Sequence, residues 1–421
     1  MANEKDSSAP EAKGRGKAGT RRPGADGTVE RAIGSRLRAY YDELSREPVP
    51  DRFVDLLKRL DGLQDPAART ALVEEFIGTR PNPIVEQNAR LVFFVRERDD
   101  HTLPRVVGDF NGWATTAQGY DATVGTPERI AGTPWAYVQG TAFSNARFEY
   151  VFLFEKDTTP DPRNPHTVRT FVGPRSEVRM PHWIAQGELD ESAAAPAGTV
   201  TEESFASRAL KASRRVWTYL PPGYAPAGDT LYPTVYFLDG GNYAEWMHVP
   251  AVLDRLIAAK TIPPVIAVFV EPGSRQEEYS RNPAWRTFIA NELVPAVDKK
   301  ARTFPSPDRR VIFGSSLGGY GAVDLAVEKS DVFGLCASIA PPAQTATLIT
   351  NQTQGQRAVH GVRFFVLGAI YDTDVKGART LRTALDDASA DVTYVEVPEG
   401  HAAETFRGRI DDALRVLVPA S

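Results

Sequence analysis

The spacing of apolar residues changes rhythm several times along the chain. From about residue 29 to residue 78 it is helical. "VERAIGSRLRAYYDELSRE" puts Ile33, Leu37, Tyr40, Tyr41 and Leu44 near one face. "PDRFVDLLKRLDG" and "DPAARTALVEEFIG" follow, each with Asp and Pro near its start. The pattern predicts three short helices over 29–82, as packing elements without chemistry of their own. From about residue 83 the rhythm becomes strand-like. "ARLVFFVRER", "RVVGDFNGW", "WAYVQGTAF", "ARFEYVFLFE" and "EVRMPHW" alternate or run apolar between turn signals, which suits a small antiparallel β-sandwich over 83–186. "GELDESAAAPAGTVTEES" then loses all periodicity, and 187–203 reads as a linker.

From 204 to 421 strand and helix signals alternate. The strand candidates are "RRVWTYLPP", "PTVYFLDGG", "PVIAVFVEP", "RRVIFGSS", "LCASIAPP", "VRFFVLGA" and "VTYVEVPEG". Helical stretches separate most of them, among them Pro283 to Arg302, Gly319 to Lys329, Gly377 to Ala390 and Ala403 to Leu417. Apolar strands joined by helices predict an α/β fold, a mostly parallel sheet covered on both faces.

Composition narrows the function classes. A chain of 421 residues is too long for one typical domain, and a net charge of -5 argues against a nucleic-acid partner. Residues 1–28 are rich in Ala, Gly, Ser, Pro and charge, with five basic residues and no acid between Lys13 and Arg22; a disordered tail is expected there. The one cysteine, Cys336, allows no internal disulfide and fits a reducing compartment. No apolar run reaches the ~18 residues of a membrane span, and the start shows no signal-peptide core, so a cytoplasmic location is expected. The six histidines lack ligand spacing, so neither a bound metal nor another cofactor is expected.

The chemistry gathers at "VIFGSSLGGYGAVD", Val311 to Asp324. An apolar strand runs into Gly-x-Ser-x-Gly and then into a helix. A tight strand-to-helix turn of this kind needs small residues two before and two after its serine, and Gly314 and Gly318 meet that need around Ser316. The plain alternative is a structural glycine turn. A serine needs a base, and in such sheets the histidine follows the last strand, with an acid between serine and histidine. His401, in "VEVPEGHAAETFRGR", fits; His360 precedes a strand and so falls at the wrong end of the sheet. The acid should follow Phe364 to Leu367, where "GAIYDTDVKG" offers Asp372 first and Asp374 second, although either is also a plausible loop or cap residue. Oxyanion donors are expected from the amides of Leu317 and, in the "DGGN" turn, of Gly241.

At these residues the chain resembles the enterochelin esterase group of the esterase D-like α/β-hydrolases, from about Gly78 onward. "DPRNP" resembles that group's Asp-Pro-x-Asn-Pro turn, and "YFLDGGNYAEW" its strand ending in Leu-Asp-Gly. "SRQEEYSRNPAWRTFIANELVPAVD", "FGSSLGGYGAVDLAVEKSDVFG" and "GHAAETFRG" resemble its Arg-x-x-Glu stretch, its elbow and its terminal histidine segment. The resemblance implies an α/β-hydrolase fold behind an early-set immunoglobulin-like domain. It implies a serine esterase of ferric siderophores, with roles carried onto Ser316, His401 and Asp372. The segment after His401 departs from the group in lacking an Asp after the histidine and a Trp before the arginine, and the acid loop departs from Gly-x-x-Glu.

A small-molecule ester is the partner so implied, with any iron arriving as part of the substrate. Arg275, Arg281 and Arg407 are candidates to meet an anionic substrate and Trp246 to line its site, while Arg275 and Glu278 also stand at helical i, i+3 spacing for a structural pair. "VVGDFNGW" resembles glycogen-binding modules too, which raises a carbohydrate esterase as the alternative, with Trp113 and Trp135 stacking on sugar. A binding protein that retains the fold without catalysis is the third reading.

Overall fold

The computed structural model describes residues 52–419, apart from 87–88, 117–118, 156, 171, 187–193, 356–358 and 360. The expected tail over 1–28, the first expected helix (Val29 to Glu47), His360 and part of the expected linker lie outside the described residues. Two helices open the described chain, Arg52–Asp61 and Pro66–Ile77. The second begins as its sequence predicts: Asp65 caps it by accepting from the amides of Ala67 and Ala68, with Pro66 in the first turn.

The strands that follow are β1 (Ile84–Val85), β2 (Arg90–Arg96), β3 (Arg105–Gly108), β4 (Thr115–Thr116), β5 (Gly119–Tyr120), β6 (Glu128–Arg129), β7 (Trp135–Thr141), β8 (Arg147–Phe154), β9 (Asp157–Thr159), β10 (Thr167–Thr170) and β11 (Gly173–Arg179). One antiparallel sheet has the order β1-β2-β7-β6 and a second β10-β11-β8-β3. Alternation does the sorting. Leu91, Phe93 and Val95 of β2 face Phe148, Tyr150 and Phe152 of β8 between the sheets. The other face of β2 and β7, with Val92, Phe94, Trp135 and Tyr137, is covered by Phe53, Leu56 and Leu60 of the first helix and Leu72, Val73 and Ile77 of the second. The helices thus close a sheet face that would otherwise expose an apolar surface.

The rest of the chain builds one sheet from β12 (Thr199–Ser207), β13 (Ala212–Leu220), β14 (Thr234–Leu238), β15 (Ile266–Val270), β16 (Arg310–Ser315), β17 (Leu335–Ile339), β18 (Arg363–Ala369) and β19 (Asp391–Val397). Its order is β12-β13-β15-β14-β16-β17-β18-β19, with β14 to β19 parallel and β12 and β13 antiparallel. Trp285, Phe288, Val323 and Leu381 bury one face of this sheet, and Val252, Leu256, Ile410 and Leu414 the other. This is the α/β-hydrolase fold.

Two details differ from expectation. β12 begins at Thr199, inside the stretch read as linker: it is a mostly exposed edge strand, so burial leaves no apolar alternation to read. The single helix expected over Ala403 to Leu417 is two, Ala403–Arg407 and Ile410–Leu417, parted at Gly408 and Arg409.

Candidate active site

Helices lie between the parallel strands, so the functional loops gather at the carboxyl ends of β14, β16, β18 and β19. Ser316 sits where β16 becomes the helix Leu317–Glu328, with φ 54° and ψ -128°. That conformation is costly for a side-chain-bearing residue and is held by its surroundings. The glycines make it possible. A Cβ on Gly314 would stand 2.1 Å from the Gly318 carbonyl oxygen, and one on Gly318 would stand 2.8 Å from Asp239 Oδ2. The Ser316 amide donates to the Ile339 carbonyl at 2.8 Å, tying the elbow to the neighbouring strand.

Asp372 follows β18 and His401 follows β19. His401 Nδ1 lies 2.6 Å from Asp372 Oδ2. Asp372 is buried, and its Oδ1 accepts from the Asp374 amide at 2.9 Å. Asp374 is exposed and contributes its backbone amide, and of the two candidate acids it is Asp372 that meets the imidazole. Burial works against the His401 cation. The hydrogen bond and charge of Asp372, followed by the charges of Asp109 and Asp374, outweigh it and raise the histidine above its ordinary value. Phe406 stands edge-on to the imidazole at 5.0 Å between centroids.

Ser316 and His401 line one cleft of about 330 Å³. Trp246 and Arg275 line it too, whereas Arg281 and Arg407 do not. Arg281 is exposed and acts on Tyr320 and Asp324, and Arg407 is buried, donating to the Met247 carbonyl and pairing with Glu404. Arg275 does not pair with Glu278 either: it holds Asp239 through two hydrogen bonds of 2.7 and 2.9 Å, and Glu278 takes Arg214 instead. Leu317 opens its helix, so its N–H is one of the first-turn amides that have no intrahelical acceptor. The Gly241 amide is already engaged, donating to Glu271 Oε2 at 2.5 Å. The expectation of a free donor at Gly241 is corrected accordingly: a carboxylate reaches it from the end of β15.

Sequence reasoning missed the contribution of the sandwich. Glu149, Val172 and Arg175 line the same cleft, and Arg175 is paired with Glu149 at 3.1 Å. Their segments carried no chemical motif, and only the fold brings them to the cleft of the serine. The tryptophans considered for sugar are both engaged. Trp135 is buried under the helices, and Trp113 donates to Asp109 at 2.7 Å with the Arg175 guanidinium 4.1 Å above its ring.

A serine at a strained elbow, with a histidine and a buried carboxylate at later strand ends, is the site architecture of the α/β-hydrolases. Residues 207–377 match the family described as "Putative esterase". The iron(III) enterobactin esterase of Escherichia coli O6:H1 is 26% identical over 267 residues, 60% of this chain and 66% of that protein. The chain thus spans just under two thirds of that curated relative. The ferric enterobactin esterase structure from Salmonella typhimurium superposes with a TM-score of 0.69 at 23% identity, over 82% of this chain and 98% of that one. The enterobactin esterase from Shigella flexneri, crystallised with enterobactin, gives 0.63 at 23% identity, over 78% and 92%. The chain is enterochelin-esterase-like in sequence and α/β-hydrolase in fold. Residues 30–62 separately match the family of the anti-sigma factor NepR. The described part of that stretch is the helix Arg52–Asp61, whose Phe53, Leu56 and Leu60 are buried against the sandwich.

Proposed function

We propose that the protein is a serine esterase that works through an acyl-enzyme. The observation that carries this reading is the 2.6 Å contact of His401 with Asp372 in a cleft shared with Ser316. A carboxylate only accepts, so Nδ1 carries the hydrogen of that bond and Nε2 is left with its lone pair toward the cleft. Nε2 takes the Ser316 Oγ proton as Oγ attacks the ester carbonyl carbon. The Leu317 amide faces the oxyanion; Gly241 adds a second donor only if it gives up Glu271. The imidazolium, stabilised by Asp372, then protonates the leaving alkoxide as the carbon–oxygen bond breaks. Water repeats the sequence on the acyl-enzyme, and the proton returns to Ser316.

For the substrate we infer an ester of a catecholate siderophore; what supports this is the Escherichia coli relative, which is named as an iron(III) enterobactin esterase. Cleft charge does not add to this, because Arg175 and Arg275 each have a carboxylate partner in Glu149 and Asp239. The test offers wild type and Ser316→Ala ferric and iron-free tri-catecholate trilactone, a feruloylated sugar and an acetylated sugar. Trilactone cleavage that the variant loses supports the reading. Cleavage of sugar esters alone would replace the substrate and keep the mechanism. Equal rates for both proteins would remove Ser316 from the chemistry.

A further inference from the structure

One carboxylate near the histidine belongs to neither candidate for the acid. Asp109 lies at the end of β3 in the sandwich, is 5% exposed, and is pressed against the backbone next to His401: a Cβ on Gly400 would stand 2.0 Å from Asp109 Oδ2. Two donors fix its orientation. The Glu149 amide reaches Oδ2 at 2.8 Å, and Trp113 Nε1 reaches Oδ1 at 2.7 Å. The same face of the sandwich grips both loops that bring Asp372 and His401 together. The Arg147 amide donates to the Pro398 carbonyl at 3.1 Å, and the Phe143 amide donates to the hydroxyl of Tyr371, the residue before Asp372, at 2.7 Å.

Resting on the serine-esterase reading, we propose that Asp109 is a positioning residue for His401, a sandwich carboxylate that braces the Gly400–His401 turn and supports the imidazolium alongside Asp372. A residue serving only the turn to Trp113 would need no burial against Gly400, and a neutral side chain would serve there. Burial, then the charge of Glu149, pushes the Asp109 carboxyl up to about 6, although its two hydrogen bonds and Arg175 favour the ion. The ionised form, which supports the imidazolium, is therefore the resting one above that pH. The charged groups around the pair are Asp372 and Asp374 on the acid loop, Glu149, Arg175 and Arg147 on the sandwich, and Glu399 with its partner Arg409 on the histidine loop, while Arg275 lines the same cleft.

The test measures covalent labelling of Ser316 by a fluorophosphonate from pH 5 to pH 9, which needs no knowledge of the natural substrate. Wild type, Ser316→Ala and Asp109→Asn are compared, with thermal unfolding as the check on folding. Removing a negative charge beside an imidazole lowers its pKa. Asp109→Asn should therefore move the acid-limb midpoint down by about half a unit to one unit and slow the high-pH plateau by roughly 3- to 10-fold. A role confined to structure would lower the plateau or the melting temperature and leave the midpoint in place, and an unchanged midpoint overturns the proposal. If the asparagine variant does not fold, Asp109→Ser, which keeps a hydroxyl to accept from the Glu149 amide, carries the same comparison. Wild type that is not labelled at Ser316 overturns the esterase reading and this proposal with it, whereas a labelled wild type with an unshifted Asp109→Asn profile overturns this proposal alone.

Discussion

At the scale of single residues, the site separates groups that the sequence only ranks. Asp372 and Asp374 stand two apart in one loop, and only the fold shows that one faces the imidazole while the other donates its amide to the first. Asp372→Asn should lower kcat roughly 10³- to 10⁴-fold, because the imidazole loses the partner that fixes its tautomer. Asp374→Asn, measured alongside, should cost less than about 10-fold, since it removes only a more distant charge. The raised His401 also sets a direction. The base must be neutral, so the acid limb of kcat/KM should have its midpoint above the ordinary histidine value of about 6.5 and activity should fall as pH drops through it. A pH profile of initial rates with a midpoint below that value would contradict the electrostatics described here. Ser316, Gly314 and Gly318 were legible because a tight turn admits few residue types. The engagement of Gly241 by Glu271 was not, since it joins positions thirty residues apart through a side chain with many rotamers.

At the scale of elements, pattern reading worked wherever burial is one-sided or complete. β13 to β19 each coincide with an apolar run, and the ends of β16, β18 and β19, where Ser316, Asp372 and His401 stand, were visible beforehand. β12 escaped because an exposed edge strand needs no apolar face. The arginines show the same limit from another direction: Arg275 enters the cleft while Arg281 and Arg407 turn away, although all three lie in segments that matched the same resemblance. The helices before the sandwich gain a role from packing. Phe53 stands against Phe94 and Tyr137 at 5.8 and 4.8 Å between ring centroids, both close to edge-on. Phe53→Ala should destabilise the protein by about 3–5 kcal/mol, read by denaturant unfolding, with kcat per folded molecule unchanged.

At the scale of the whole molecule, the sandwich and the hydrolase sheet share a boundary that runs past the chemistry. Tyr371 belongs to the acid loop, yet its ring lies 5.9 Å from that of Phe148 in the sandwich. Arg147 is buried and carries its ion pair with Glu177 beside the histidine loop. Separating the two layers would break the bonds of the Arg147 amide to the Pro398 carbonyl and of the Phe143 amide to the Tyr371 hydroxyl and would expose the Phe148 and Tyr371 rings, so it should be unfavourable. The described residues belong to one compact unit, and calorimetry should show it unfolding in a single transition, with no separate early loss of the sandwich. None of this boundary was legible in the sequence, because it is made from positions that are ordinary within their own strands and meet only across the fold.

The measurement that tests the central claim most directly is peptide mapping by mass spectrometry after rapid acid quench of the reaction with tri-catecholate trilactone. The account predicts an acyl adduct on the peptide that carries Ser316 in wild type, absent from Ser316→Ala together with turnover. Turnover that persists in Ser316→Ala, or an adduct on any other residue, would contradict it.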